Sequence, residues 1–281
     1  MKEHAKKLHT YVGRRRTEHD TVVPSQAQAM AALLDRDPSP YSAGAPLPEF
    51  WHWIYFKSIV RRSRLGEDGH QHRGDFLPPV ELPRRMWAGG RLQFHNPIII
   101  GEEIERTSEI ISVDKKSGRS GELVVITVKH VISSAHEACV KEEQDIVYCE
   151  IPRSDQPGPQ TLAPTEVNWK ETFLPDAIVL FYYSALMFNA HRIHYDYPFT
   201  TQVEGYRGLL VHGPLTGLLL LDAATRYEHR MPASYAYRGA APLFCDEPIT
   251  LAGINTANDD TQVWASGPDG VIAMEARVIW K

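Results

Sequence analysis

Cysteine is scarce in this chain, and what there is forms no pattern. Cys139, Cys149 and Cys245 are the full complement of the 281 residues, an odd number with no Cys-x-x-Cys pair. That excludes a disulfide framework and a thiolate metal site, and it fits a reducing compartment. Long hydrophobic runs are missing too. The most apolar stretches, Ile178–Phe188 and Leu209–Leu221, fall short of the roughly 18 apolar residues a membrane helix requires. Nor is there an excess of positive charge: a net charge of -5 gives no global attraction to nucleic acid, so any anion must be held by a local cluster. The N-terminus up to Glu18 is basic but lacks the apolar centre of a secretory signal. Glu3, Glu18 and Asp20 are out of place in a transit peptide, and the expected location is the cytoplasm. Gly66, Gly69 and Gly74 share one loop but form no phosphate-binding pattern, and are read as flexibility.

What is present is the composition of a globular protein, 43% hydrophobic and 23% charged, in a chain long enough for one large domain or two. Pro152, Pro157, Gly158, Pro159 and Pro164 mark residues 151–165 as an extended linker, dividing the chain into 1–150 and 166–281. The two parts share features in the same order. Strands are expected at Ile104–Val113, Leu123–Ser133 and Ala138–Tyr148, and again at Ile249–Asn255, Gln262–Ser266 and Val271–Trp280. Each set ends on a similar string, Glu143-Gln144-Asp145-Ile146-Val147-Tyr148 and Glu275-Ala276-Arg277-Val278-Ile279-Trp280, as a duplicated α+β unit would. Residues 212–225, beginning His212-Gly213-Pro214, are apolar on nearly every side, so this helix must be buried all round. Pro214 suits its first turn. A helix wrapped by an antiparallel sheet is the hot-dog architecture. The expected fold is α+β, a double hot-dog of two antiparallel sheets each wrapped around a central helix. Phe50–Phe56 is the candidate for the first, degenerate helix.

Chemistry concentrates after an apolar helix expected at Asp176–Phe188. There Asn189-Ala190-His191-Arg192-Ile193-His194-Tyr195-Asp196 packs two histidines, an arginine, an amide and a carboxylate into eight residues. Each alone fits a cap, a surface charge or a satisfied core histidine. Together they are costly to bury without a reason. The stretch resembles the Asp-x-Asn-Pro-x-His motif of MaoC-like (R)-specific enoyl-CoA hydratases. His194 falls on the motif histidine, Asn189 on its aspartate, and His191 and Arg192 on its Asn and Pro. His212-Gly213-Pro214 is similar to the family's start of the central helix. The variant is closer to the branch of the mitochondrial-type 3-hydroxyacyl-thioester dehydratase and the mesaconyl-C4-CoA and itaconyl-CoA hydratases. Met86-Trp87-Ala88-Gly89-Gly90-Arg91-Leu92 and Arg119-Ser120-Gly121 are similar to that branch's non-catalytic first hot-dog.

The resemblance implies a hydro-lyase that adds water reversibly to an enoyl-CoA, with mesaconyl-C4-CoA or itaconyl-CoA giving citramalyl-CoA. An amide exchanges no proton, so Asn189 is expected to orient the attacking water or His194 through hydrogen bonds and leaves His194 as the leading acid/base, with Asp196 and His191 in reserve. The backbone amide at Gly213 is the expected donor to the enolate oxygen, with His212, His191 and Arg192 as further substrate-binding candidates. Arg84, Arg85 and Arg91 are candidates for CoA phosphates or an acyl carboxylate. No metal and no cofactor beyond the CoA thioester substrate are expected, no nucleic acid or membrane partner, and a homodimer is the assembly considered. A dehydratase acting on an acyl carrier protein is the alternative. A thioesterase relying on Asp222 and a non-catalytic acyl-CoA-binding module are the other rivals.

Overall fold

The computed structural model describes residues 8–118, 121–135, 137–150 and 160–281. Most of the expected linker, and Arg119 and Ser120, lie outside them. Among these residues ten strands and three α-helices follow in this order: β1 (Arg15–Thr21), α1 (Pro24–Leu33), β2 (Arg84–Phe94), β3 (Glu103–Gly118), β4 (Gly121–Ser134), β5 (Glu137–Cys149), β6 (Trp169–Phe173), α2 (Ala177–Met187), α3 (Gly213–Glu228), β7 (Pro232–Gly239), β8 (Ile249–Asn255), β9 (Asp260–Ser266) and β10 (Ile272–Trp280). The strand pattern follows the side-chain period. Along β4, every second residue from Val124 to Ser134 is buried, as a strand with one face on the core requires.

The expectation of two sheets, each around its own helix, is overturned. All ten strands form one continuous antiparallel sheet in the order β1-β3-β4-β5-β2-β7-β10-β9-β8-β6. The same five-strand arrangement stands on both sides of a seam where β2 pairs with β7, from Gly89 opposite Arg238 to Gln93 opposite Ser234. Glycine makes this seam possible. A Cβ on Gly89 would lie 2.6 Å from the Tyr237 carbonyl oxygen, and one on Gly90 would lie 2.3 Å from the Tyr237 hydroxyl. With side chains there, the two sets of strands could not join.

Among the described residues there is only one central helix. α3 is the apolar segment read from the sequence, with Pro214 in its first turn and Leu215 to Leu221 buried; it packs on β7–β10 and β2. At Phe50–Phe56 there is instead a single 3₁₀ turn, Trp51–Ile54, preceded by Phe50 in the left-handed region (φ 74°). So short an aromatic segment does not sustain an α-helix. Its polar atoms anchor it: His52 Nε2 and Trp53 Nε1 lie 3.2 and 3.0 Å from the buried Glu142 carboxylate of β5. α2 packs on α1, and the Asp176 side chain caps it by accepting from the Val179 amide at 2.8 Å. No helix among the described residues is long and apolar enough to cross a membrane.

Candidate active site

α2 ends at Phe188, whose left-handed backbone (φ 50°) turns the chain into the histidine cluster. Asn189 accepts the His191 amide on its side-chain oxygen at 3.0 Å, a local turn. It makes no hydrogen bond to His194. The 3₁₀ turn Arg192–His194 then drops His194 into the interior. The Leu210 amide donates to the Ile193 carbonyl at 3.0 Å, and His194 Nδ1 lies 2.8 Å from the Leu210 carbonyl. A carbonyl oxygen only accepts, so Nδ1 carries the hydrogen and Nε2 is left with a lone pair. Burial holds the His194 pKa down at about 4, so the ring is neutral near pH 7 and suited to accept a proton.

His212 stacks on His194, with ring centroids 3.5 Å apart and planes 18° from parallel, and its Nε2 meets the Ser184 hydroxyl at 2.8 Å. Burial, then the charges of His194 and His191, push its pKa well down. Gly213 follows at the first residue of α3. The first bond to the helix's own carbonyls is Thr216 N–H to His212, so the Gly213 and Leu215 amides are free donors and Pro214 has none. The place a Cβ on Gly213 would take is filled by Trp87 of β2, 2.8 Å away at Cε3. The glycine therefore admits an indole ring, which forms one wall beside the helix start.

The other expected residues divide clearly. Arg192 and Asp196 form an ion pair at 2.7 Å; Asp196 also caps Phe199, and Arg192 lies over the Phe199 ring. They brace the turn and do not line the cavity. Arg84 lines the cavity but is paired with Glu204, and Arg91 is paired with Glu143 and Asp145 on the exposed face of the sheet. Arg85 differs. It lines the cavity, makes no hydrogen bond or ion pair among the described residues, and its charge reaches His70 and His191.

Asp68 and His70 were missed by sequence reasoning. They come from the loop whose glycines were read as flexibility. Gly69 (φ +89°) is instead packed so tightly that a Cβ would lie 1.8 Å from the Ala190 carbonyl oxygen, and the Arg192 amide donates to the Asp68 carbonyl at 3.0 Å. This seats His70 against His191, ring centroids 4.1 Å apart, with His70 Nδ1 3.0 Å from the Asp68 carboxylate. Asp68-Gly69-His70 was the available signal: a carboxylate and an imidazole flanking the one residue type that tolerates such an approach. The ligand-type atoms of Asp68, His70 and His191 fall within 4.8 Å of one another, and the hydrogen bond joins two of the three.

His70, His191, His194, His212, Gly213, Trp87 and Arg85 line one cavity of about 1430 Å³ that extends under the first five strands to Phe76 and Tyr148. Ordinary small-molecule sites occupy about 300–1,000 Å³, so this one has room for an acyl group with part of a carrier.

Comparison with known proteins agrees with this chemistry. The family of hydroxyacyl-thioester dehydratases type 2 matches residues 50–245. The chain is 42% identical over 270 residues to a mesaconyl-C(4)-CoA hydratase of Chloroflexus aurantiacus, across 95% of this chain and 96% of that one. It is 28% identical over 237 residues to the mitochondrial hydroxyacyl-thioester dehydratase type 2 of Schizosaccharomyces pombe, across 74% and 78% of the two chains. A MaoC-like dehydratase from Phytophthora capsici has the same fold, with a TM-score of 0.72 at 12% identity over 98% of this chain and 97% of that one. The expected cytoplasmic location is corrected by these relatives, some of which are named as mitochondrial; charge pattern at the N-terminus did not identify the compartment. With the family matched over most of its length, the chain belongs to the hydroxyacyl-thioester dehydratases type 2, hot-dog hydro-lyases of the MaoC-like group acting on acyl thioesters.

Proposed function

We propose that this enzyme hydrates mesaconyl-C4-CoA to citramalyl-CoA, with His194 as the base. The observation that carries the reading is the His194 ring: neutral, buried, its Nδ1 committed to Leu210 and its Nε2 free in a cavity that begins at an uncapped helix start. Water adds at the β-carbon as Nε2 takes one of its protons. Negative charge then builds on the thioester oxygen, where the Gly213 amide and the positive end of α3 stabilise it. Asn189 and His212 are positioning residues, one shaping the turn that carries His191 and the other supporting the His194 ring. Arg85 takes the substrate's free carboxylate, being a cavity arginine beside the histidines with no hydrogen-bond or ion-pair partner among the described residues. The first half contributes to holding CoA.

Asp222 does not serve a thioesterase. It is paired with Arg36 and Arg226 and does not line the cavity. A homodimer belongs to the same proposal, supported by Ile178, Phe181 and Tyr182 standing exposed along α2, and light scattering would read its mass. Nucleic acid has no part in it, in keeping with the net charge of -5.

The test is absorbance at the enoyl-thioester band with mesaconyl-C4-CoA, itaconyl-CoA, crotonyl-CoA and an enoyl carrier-protein thioester. The absorbance should fall fastest with mesaconyl-C4-CoA. Equal rates on crotonyl-CoA, or preference for the carrier-protein thioester, would refute the substrate assignment.

A further inference from the structure

His70 and His194 enter the cavity from opposite halves of the chain in the same tautomeric state. Each has its Nδ1 hydrogen tied to an oxygen that only accepts, the Asp68 carboxylate at 3.0 Å and the Leu210 carbonyl at 2.8 Å. Each therefore has Nε2 as its working nitrogen, and His70 Nε2 makes no hydrogen bond among the described residues. The two supports differ in charge. A carboxylate stabilises imidazolium far more than a neutral carbonyl does, and at His70 it works against burial and two nearby arginines, which together still hold the pKa of this ring below its ordinary value. His191 lies between them, its centroid 4.1 Å from His70 and 5.4 Å from His194. Backbone contacts fix this row in place: Gly69 against Ala190, the Arg192 amide on Asp68, and the His70 amide on the Asp68 carboxylate at 2.9 Å.

We propose that His70, held by Asp68, is the acid that delivers the α-proton in hydration, and that His191 returns a proton to it from His194. The inference rests on His194 being the base. As the water oxygen bonds to the β-carbon, one water proton passes to His194 Nε2 and the double-bond electrons move onto the α-carbon and thioester oxygen. The enolate's α-carbon then takes the proton from His70 Nε2. His194 is left protonated and His70 neutral. Transfer through His191 restores both, so one water is consumed and no other reactant is needed. In dehydration His70 would remove the α-proton. The carboxylate absent at Asn189 is thus supplied by Asp68 from the other half of the chain.

The charged and titratable groups facing His70 are Asp68 and Arg73 of its own loop, Arg85 of β2, and His191. Burial opposes its protonation most, and Arg85 and Arg73 add to that; Asp68 favours it. A substrate carboxylate on Arg85 would cancel the larger of the two opposing charges, so the acid becomes chargeable when the right substrate is bound.

The experiment is the pH dependence of mesaconyl-C4-CoA hydration at saturating substrate, for the wild type and for His70→Gln, Asp68→Asn and His194→Ala. An acid must be protonated to act, so the wild-type rate should fall on a high-pH limb. His70→Gln should lose about 10²–10⁴-fold in rate and lose that limb. Asp68→Asn should keep the limb but move it to lower pH, because the imidazolium loses its carboxylate; this milder variant answers the question if His70→Gln does not fold. A wild-type profile without the limb, a near-normal rate in His70→Gln, or a slowed variant with the limb unmoved would each overturn the proposal. The base is read separately. His194→Ala that remains active would refute His194 while the His70 results stood on their own.

Discussion

Replacing Arg85 by methionine removes one positive charge from the cavity while keeping most of the side chain's bulk. The guanidinium has no hydrogen-bond or ion-pair partner to lose among the described residues, so the fold should tolerate the change. What is lost is its bond to the substrate carboxylate. A hydrogen bond to a charged group contributes about 1.5–3 kcal/mol. At about 1.36 kcal/mol per factor of ten, kcat/KM for mesaconyl-C4-CoA should drop roughly 10- to 150-fold. Crotonyl-CoA has no such carboxylate to lose, so its rate should not fall, and losing the charge that opposes His70 protonation should favour it. A second effect has a definite sign. Arg85 opposes protonation of both His70 and His191, so its removal raises their pKa in the free enzyme. Any high-pH limb that His70 governs in kcat/KM should therefore move to higher pH. Initial rates with both substrates across pH give both answers. Equal losses on the two substrates would refute a carboxylate-reading role, and a limb moving to lower pH would refute the electrostatic argument.

His194→Ala should lose about 10²–10⁴-fold in turnover. It should also unfold less readily in acid: the wild-type ring is neutral when folded, with a pKa of about 4, and protonated when unfolded below about 6.5. The unfolded state then binds more protons, so stability falls as pH drops through that window. Melting temperatures followed from neutral pH to pH 4 should decline more gently in the variant, and parallel curves would contradict the assignment. Gly213→Val should lower stability as well as turnover, since its Cβ meets Trp87 at 2.8 Å, and a Trp87→Leu replacement should recover part of the melting temperature. No recovery would mean that contact with Trp87 is not what the added side chain disturbs. Glu142→Ala leaves His52 and Trp53 without their buried acceptor and should cost about 3–5 kcal/mol in urea denaturation. A cost below about 1 kcal/mol would show that the cluster does not hold the first half's 3₁₀ turn.

Much of the architecture was legible where a local rule suffices. The period-two alternation of β4 and the apolar circumference of α3 each lie within one element, and sequence reports them directly. The joining of the sheets was not legible, because it depends on Gly89 and Gly90 meeting Tyr237 almost 150 residues away in the chain. Nor was the missing first helix. Phe50–Phe56 is apolar enough to suit a buried helix, and only the pairing of His52 and Trp53 with Glu142 shows why a short turn was retained there.

The site divides along the same line. The 189–194 stretch marked His194 because the chemistry sits within a few residues, but it could not say which polar neighbours face inward. Asp196 and Arg192 were plausible by type, and their mutual i, i+4 spacing turns them toward each other and away from the cavity. Asn189 broke the motif, and sequence alone left the lost carboxylate without a successor. The structure places one within the histidine row, on Asp68, through a loop that a glycine lets close to within contact of Ala190. Spacing along the chain carries no trace of such a substitution, since the loop of Gly69 and the turn of Ala190 are far apart in sequence and meet only in the folded chain. A carboxylate that moves from a motif to a loop of the other half ties the active site to the continuity of the sheet. That continuity is what a helix-bearing first half, folded as a sheet of its own, would have lacked.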